Sequence, residues 1–296
     1  MNTLLQLLVA GVATGSVYGL IALGFLIINH ATGVVNFAQG VMLMVGAVST
    51  YLLVVVLGLS YWVAIPLVII IGVLLALVFD QTLVTPLQKR NAPVFSIVIG
   101  TLLFGSVIAE LAAQIAGDQP HGVPAIVDNS PITIGELTIR PQTVISLIAA
   151  WVIVLGVWYF FNKTLTGLSV RALGINRTGA AVVGVRVKRM VRIAMILSIV
   201  VTVIGGLLIA PILGAGPRMG IDLGVKGFAA AVLGGFNSVY LAMAAGVALG
   251  VLEVLTAFYV SSAYSSAVAY ALLLLALCLQ PIRGSRLLQK FKVARA

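Results

Sequence analysis

Long apolar stretches separated by short polar ones run the length of the chain. They show neither the two-residue alternation of a half-buried strand nor the single apolar stripe of a soluble helix. Apolar runs cover residues 4–28, 41–57, 61–84, 94–116, 141–161, 193–213 and nearly all of 229–281. A bilayer core takes roughly 20 apolar residues as a helix, so each full run predicts a spanning helix. The short alternating segments of a β-barrel are absent. The pattern gives an all-α polytopic membrane protein, one transmembrane domain over residues 1–296, with about eight transmembrane helices including broken or re-entrant segments.

The polar interruptions refine this picture. Gly11, Gly15 and Gly19 recur every fourth residue of the first run, beside Ser16 and Ala22, and small residues so spaced make a flat seam against which another helix packs closely. The run starts without charge and is too long for a secretory signal, so it reads as a retained spanning helix. NHATGVVNFAQG, residues 29–40, sets Asn29, His30, Asn36 and Gln39 between apolar runs. Such groups either line a pathway or form a polar turn wetted by cytoplasmic water, because unpaired polar groups at membrane depth are costly. Asp80, near the far end of the third run, is expected to snorkel or to pair with Lys89 as a solvated anchor. GAGPRMGIDLGVKGF, residues 214–228, carries too many glycines and charges for a plain spanning helix. It is either a re-entrant hairpin or half-helix, or an exposed loop.

Charge orients these runs. Of 17 Lys and Arg residues, 14 lie in three clusters: Lys89 and Arg90, seven in residues 162–192, and five in the tail 283–296. By the positive-inside rule these segments are cytoplasmic. The loop 117–140 has Asp118, Asp128 and Glu136 against Arg140; it belongs outside, and its ITIGELTIR stretch predicts a strand pair. Parity then requires an odd number of crossings between Arg218 and Arg283, whereas the length favours two full ones. A partly inserted segment between Gly214 and Ser266 resolves this.

With 61% hydrophobic and 8% charged residues and a mean hydropathy of +1.21, the chain is far from a soluble domain. Its net charge of +10, clustered at the ends of apolar runs, marks topology and contacts with anionic membrane lipid rather than nucleic acid. The one cysteine, Cys278, gives no disulfide framework or metal cluster. No GxxxxGK[ST], HExxH or CxxC sequence occurs, and no Ser-His-Asp arrangement is assembled, so an enzyme is not expected. Glu110 and Glu253 alone lie well inside apolar runs, where an acid is a functional candidate by default. The preferred reading is structural, each paired with a helix-end cation or a hydroxyl such as Ser106 or Thr256.

RALGINRTGAAVVGVRVKRM, residues 171–190, resembles the cytoplasmic coupling loop of bacterial ABC importer permeases of the branched-chain amino acid type, and of the H-type subunit in particular. Residues 15–47, with NFAQG, residues 224–253, with AVLGGFNS, and the closing LLLLALCLQPIRG of residues 272–284 agree in order and spacing. The family commonly has glycine after Tyr240, where Leu241 and Ala242 stand here.

The resemblance implies a multi-pass inner (plasma) membrane permease without catalysis or cofactor of its own. It would work with a second permease, often a paralogue giving a heterodimer, with two ATPase subunits that bind ATP and Mg, and with a periplasmic binding protein that delivers the amino acid. By position, Arg171, Gly174, Ala180, Ala181 and Gly184 would form or flank the short helix seated in the ATPase. Asn36, Gln39 and Asn237 are the candidates for lining the translocation pathway. Related permeases move urea, short amides and aromatic acids or other small carboxylates. A self-sufficient secondary transporter, with Glu110 and Glu253 as a proton relay, is the competing class.

Overall fold

The computed structural model describes residues 2–90, 92–127, 130–134, 137–236 and 238–278. Asp128, Glu136, Asn237 and the tail 283–296, used in the reading above, lie outside the described residues.

The chain opens with α1 (Asn2–Thr32) and α2 (Gln39–Tyr51, prolonged by a wide turn over Leu52–Val56). Next come α3 (Tyr61–Phe79), a second wide turn over Asp80–Val84, α4 (Thr85–Lys89) and α5 (Val94–Ala116). A hairpin of β1 (Ile132–Ile134) and β2 (Leu137–Ile139) follows, antiparallel with Thr133 opposite Thr138, where ITIGELTIR predicted it. The second half comprises α6 (Pro141–Lys163), α7 (Leu165–Ile175), α8 (Arg177–Val182) and α9 (Val187–Leu213). It ends with α10 (Met219–Leu233), α11 (Val239–Tyr259) and α12 (Ser262–Cys278). Among the described residues, seven helices are long and apolar enough to cross a membrane, by length and composition, and shorter apolar helices accompany them. The architecture is the expected all-α polytopic one.

α1 is the centre of the bundle. Val17, Leu20, Ile21, Leu23 and Ile27 are fully buried along it, and α6, α9, α10 and α11 pack around it. Its glycine ladder does what the spacing predicts. A Cβ at Gly11 would lie 2.7 Å from the Val251 Cα, and one at Gly15 would lie 2.6 Å from the Gly246 carbonyl oxygen. Gly19 faces Met243 and Gly246 in the same way. The pairs run in opposite senses, so α1 and α11 are antiparallel and touch backbone to backbone. Without a hydrophobic drive between helices in lipid, such close packing is what holds a pair.

α1 descends to the basic end of the molecule, where Gly174 of α7 rests on the carbonyl of His30, 2.7 Å from where a Cβ would be. α2 runs away from that end. Tyr51 at its close stacks on His121 of the 117–140 loop at 4.3 Å, and the start of α3 is tied to the same loop by the Tyr61 hydroxyl donating to the Pro124 carbonyl. His121 exchanges backbone hydrogen bonds with Ala215 at 2.8 Å each way, which fastens the loop to the turn before α10. His30 and His121 thus stand at opposite ends, as expected.

α10 bears on the parity. Its 15 residues make a helix of roughly 22 Å, short of a hydrocarbon core of about 30 Å. That length suits the partly inserted segment expected between Gly214 and Ser266; α11, which follows, is long and apolar enough to span, and α12 is a shorter apolar helix. The glycines that ruled out a plain spanning helix serve the close crossing of α10 with α2. Gly40 meets Gly220 and Gly224 with no room for a Cβ. The turn into α11 is made by Gly234 to Phe236, with φ of 71° at Gly235 and 55° at Phe236. Leu241 and Ala242 accordingly lie inside α11, and the glycine missing after Tyr240 is not needed for the turn.

Candidate functional site

The basic segment 162–192 folds as two short helices and the first turns of α9. Thr164 starts α7 by accepting a hydrogen bond from the Gly167 N–H at 3.0 Å, and Asn176 starts α8 by accepting from the Gly179 N–H at 2.8 Å. Each side chain satisfies a helix-start donor that would otherwise be orphaned. Gly184, at φ 88°, turns the chain into α9.

This pair of helices is braced on four sides. Val170 and Leu173 are buried, and Gly167 and Gly174 lie against the carbonyls of Phe160 and His30. Arg171 donates to the Asn162 side-chain oxygen at 2.9 Å, and Arg177 reaches Gln88 of α4 at 3.4 Å. Asp80 meets Arg192 at 2.7 Å and accepts from the Thr85 hydroxyl at 2.9 Å. The expected partner Lys89 is therefore replaced by Arg192, and Asp80 is buried rather than solvated. The wide turn over Asp80–Val84 and the early start of α9 at Val187 bring that arginine alongside.

The outer surface of α7 and α8 is both apolar and basic. Ile175 is 88% exposed, Val182 82% and Val183 79%, amid Arg171, Arg177 and Arg186. Apolar side chains so exposed among cations have the composition of a contact surface for protein or membrane. Between α7 and the end of α1 lies a cavity of about 490 Å³ lined by Asn29, His30, Arg171, Arg177 and Phe236 among others.

The five coupling candidates are distributed by this geometry. Arg171, Ala181 and Gly184 are on the outside. Gly174 is exposed too, with one side against α1, and only Ala180 is buried. Ile175, Val182 and Val183 were missed; the available signal was their position as apolar residues in a segment otherwise rich in cations.

The family model described as branched-chain amino acid transport system / permease component matches residues 7–277. The chain belongs to this permease family. The permease protein LivH of the high-affinity branched-chain amino acid transport system of Salmonella typhimurium is 25% identical over 288 residues, covering 94% of both chains. Escherichia coli K12 LivH is 25% identical over 289 residues with the same coverage. A probable LivH of Methanocaldococcus jannaschii is 28% identical over 256 residues, 83% of this chain and 79% of that one. Among solved structures, PsaBC from Streptococcus pneumoniae in complex with a Fab shares 14% identity over 90% of this chain and 89% of that chain, at a TM-score of 0.49.

The pathway candidates of this permease lie elsewhere. Asn36 and Gln39 are buried where α2 begins. Asn36 donates to the Gln39 side-chain oxygen at 3.2 Å and accepts from the Ala38 N–H at 3.1 Å. Gln39 donates to the Ser198 hydroxyl at 3.0 Å and to Thr202, and Ser198 donates to the Gly24 carbonyl at 2.7 Å. These amides join α1, α2 and α9 in a closed network. Asn237, the third candidate, lies outside the described residues.

The two acids of the apolar runs part company. Glu253 is paired, accepting from the Lys226 ammonium at 2.7 Å and from the Tyr18 hydroxyl at 2.7 Å. Its partners are therefore not Thr256, which bonds its own helix at Leu252. Glu110 is exposed, with no hydrogen-bond or ion-pair partner among the described residues, while Ser106 donates to the Leu102 carbonyl at 3.1 Å.

Proposed function

We propose that this permease is one half of the translocation pathway of a bacterial ABC importer for leucine, isoleucine and valine, seated in the inner (plasma) membrane. A second permease, either a paralogue or a copy, completes the pathway, and a periplasmic binding protein supplies the amino acid. Two ATPase subunits bind ATP and Mg and carry the hydrolysis. The observation that carries this reading is the braced pair α7 and α8, with Ile175, Val182 and Val183 presented outward among arginines. A secondary transporter has no use for such a dock, and the ion pairing of Glu253 to Lys226 leaves that acid occupied rather than free to relay protons. The relatives, all named as branched-chain amino acid permeases, support these substrates over urea or short amides.

The test is reconstitution of the permeases with their ATPases in vesicles, with the binding protein outside. ATP-dependent leucine uptake is the expected result. Val182→Glu, which sets a carboxylate into the dock without touching the core, is expected to lower uptake and coupled ATP hydrolysis at least about tenfold at unchanged membrane yield, as for a central interface residue. Uptake by V182E at the unaltered rate would remove the docking role. Accumulation of leucine by the purified chain alone, driven by a proton gradient, would overturn the importer reading.

A further inference from the structure

Glu110 lies six residues before the end of α5 at Ala116, roughly 9 Å along the helix axis. The buried side of α5 is made by Thr101 and Gly105, the latter against Val41 and Ala38. Glu110 is on the exposed side, near Leu103 and Val107 and one turn beyond Ser106. A carboxylate on an exposed helix face within a membrane span is excluded by hydrocarbon. That face of α5 therefore meets water or protein in the working transporter, and the feature next to it indicates what passes there. An apolar recess of about 260 Å³ runs between α5 and α10, walled by Leu102, Ala109, Ile221 and Val225. Its floor is aromatic: Phe228 packs on Phe25 and on Phe37 at 5.4 Å between ring centroids in each case. Ser106 stands on the rim.

We propose that this recess, together with Glu110 one helical turn beyond the rim residue Ser106, is the cargo-facing wall of the pathway. The branched alkyl side chain of the amino acid lies over the phenylalanines, and its ammonium group meets the Glu110 carboxylate. The two halves match two of the three groups of a zwitterionic aliphatic amino acid, the apolar volume its alkyl chain and the Glu110 carboxylate, unpaired among the described residues, its ammonium. The assignment rests on the importer reading above for the identity of the cargo. It replaces the buried amides Asn36 and Gln39 with an open apolar surface as the place where cargo is met.

The experiment uses the complete transporter in vesicles, with Cys278→Ser as background. Ser106→Cys and Glu110→Cys are exposed to a membrane-impermeant cationic thiosulfonate, which reacts only with thiols in contact with water. Leu111→Cys, exposed on another side of α5, is the comparison. Modification at positions 106 and 110 and not at 111, slowed when leucine and its binding protein are present, is expected. Equal modification at all three, or none at any, overturns the proposal, as does leucine having no effect. Glu110→Gln keeps the shape and removes the charge, and it is expected to slow leucine uptake about tenfold, the order of one lost charge-assisted hydrogen bond. Uptake by E110Q at the unaltered rate sinks the ammonium contact. If the unaltered system does not take up leucine at all, the importer's substrate reading fails instead, and the labelling pattern still reports whether the wall faces water.

Discussion

Lys226 is the centre of a polar cluster that joins four helices. It meets Glu253 of α11 and Asp222 of its own helix at 2.7 Å each, and lies 5.8 Å above the Tyr18 ring of α1. Asp222 in turn accepts from the Tyr270 hydroxyl of α12 at 2.6 Å. Lys226 itself is 3% exposed, so removing it strands the half-buried Glu253 without a counter-charge. Lys226→Met is expected to destabilise the permease by about 3–5 kcal/mol, the usual cost of breaking a buried pair from one side. Lys226→Met with Glu253→Gln should recover most of that loss, because the neutral amide needs no counter-charge and still offers the Tyr18 hydroxyl an acceptor. Thermal unfolding in detergent measures both, and a single variant that melts with the parent would show that the cluster contributes nothing. The network around Gln39 follows a different rule: its groups are neutral and mutually satisfied, so its role is to fix the register of α1, α2 and α9.

Between elements, glycine decides which helices meet. The α1–α11 seam and the α2–α10 crossing both bring backbones together where a Cβ has no space. Gly246→Leu is expected to force α11 off α1 and to cost about 1–3 kcal/mol or more, as overpacking does. Its readout is loss of the monodisperse peak on size exclusion, and an unchanged profile would mean that the seam yields. The first of these contacts was legible in the sequence, because a four-residue glycine spacing states its own geometry. The identity of the second helix was not, since Gly246 and Gly250 lie more than two hundred residues away and carry no label naming α1. The same limit explains the acids. That Asp80 and Glu253 need partners follows from their place in apolar runs, but whether the partner is Lys89 or Arg192, Thr256 or Lys226, depends on which helices become neighbours. The coupling segment was legible as a surface through its charge. Which side of α8 faces outward was not, and so buried Ala180 stood beside exposed Ala181 as an equal candidate.

At the scale of the whole molecule, the basic helices α7 and α8 and the loop that carries His121 stand at opposite ends of the bundle. Ala181→Cys is expected to react with an impermeant thiol reagent only from the cytoplasmic side, and Gln119→Cys only from the outside, both in the C278S background. Reaction of both from one side would mean that α6, the long helix between them, does not cross the membrane. The central position of α1 has a further consequence for how the protein is made. α1 is made well before α11 and ends up enclosed by it, and its glycine face stays open to lipid until α11 has been synthesised. Chains halted before α11 should therefore insert yet remain sensitive to membrane proteases, so that quality control reads the arrival of α11 from whether the glycine face of α1 has been covered.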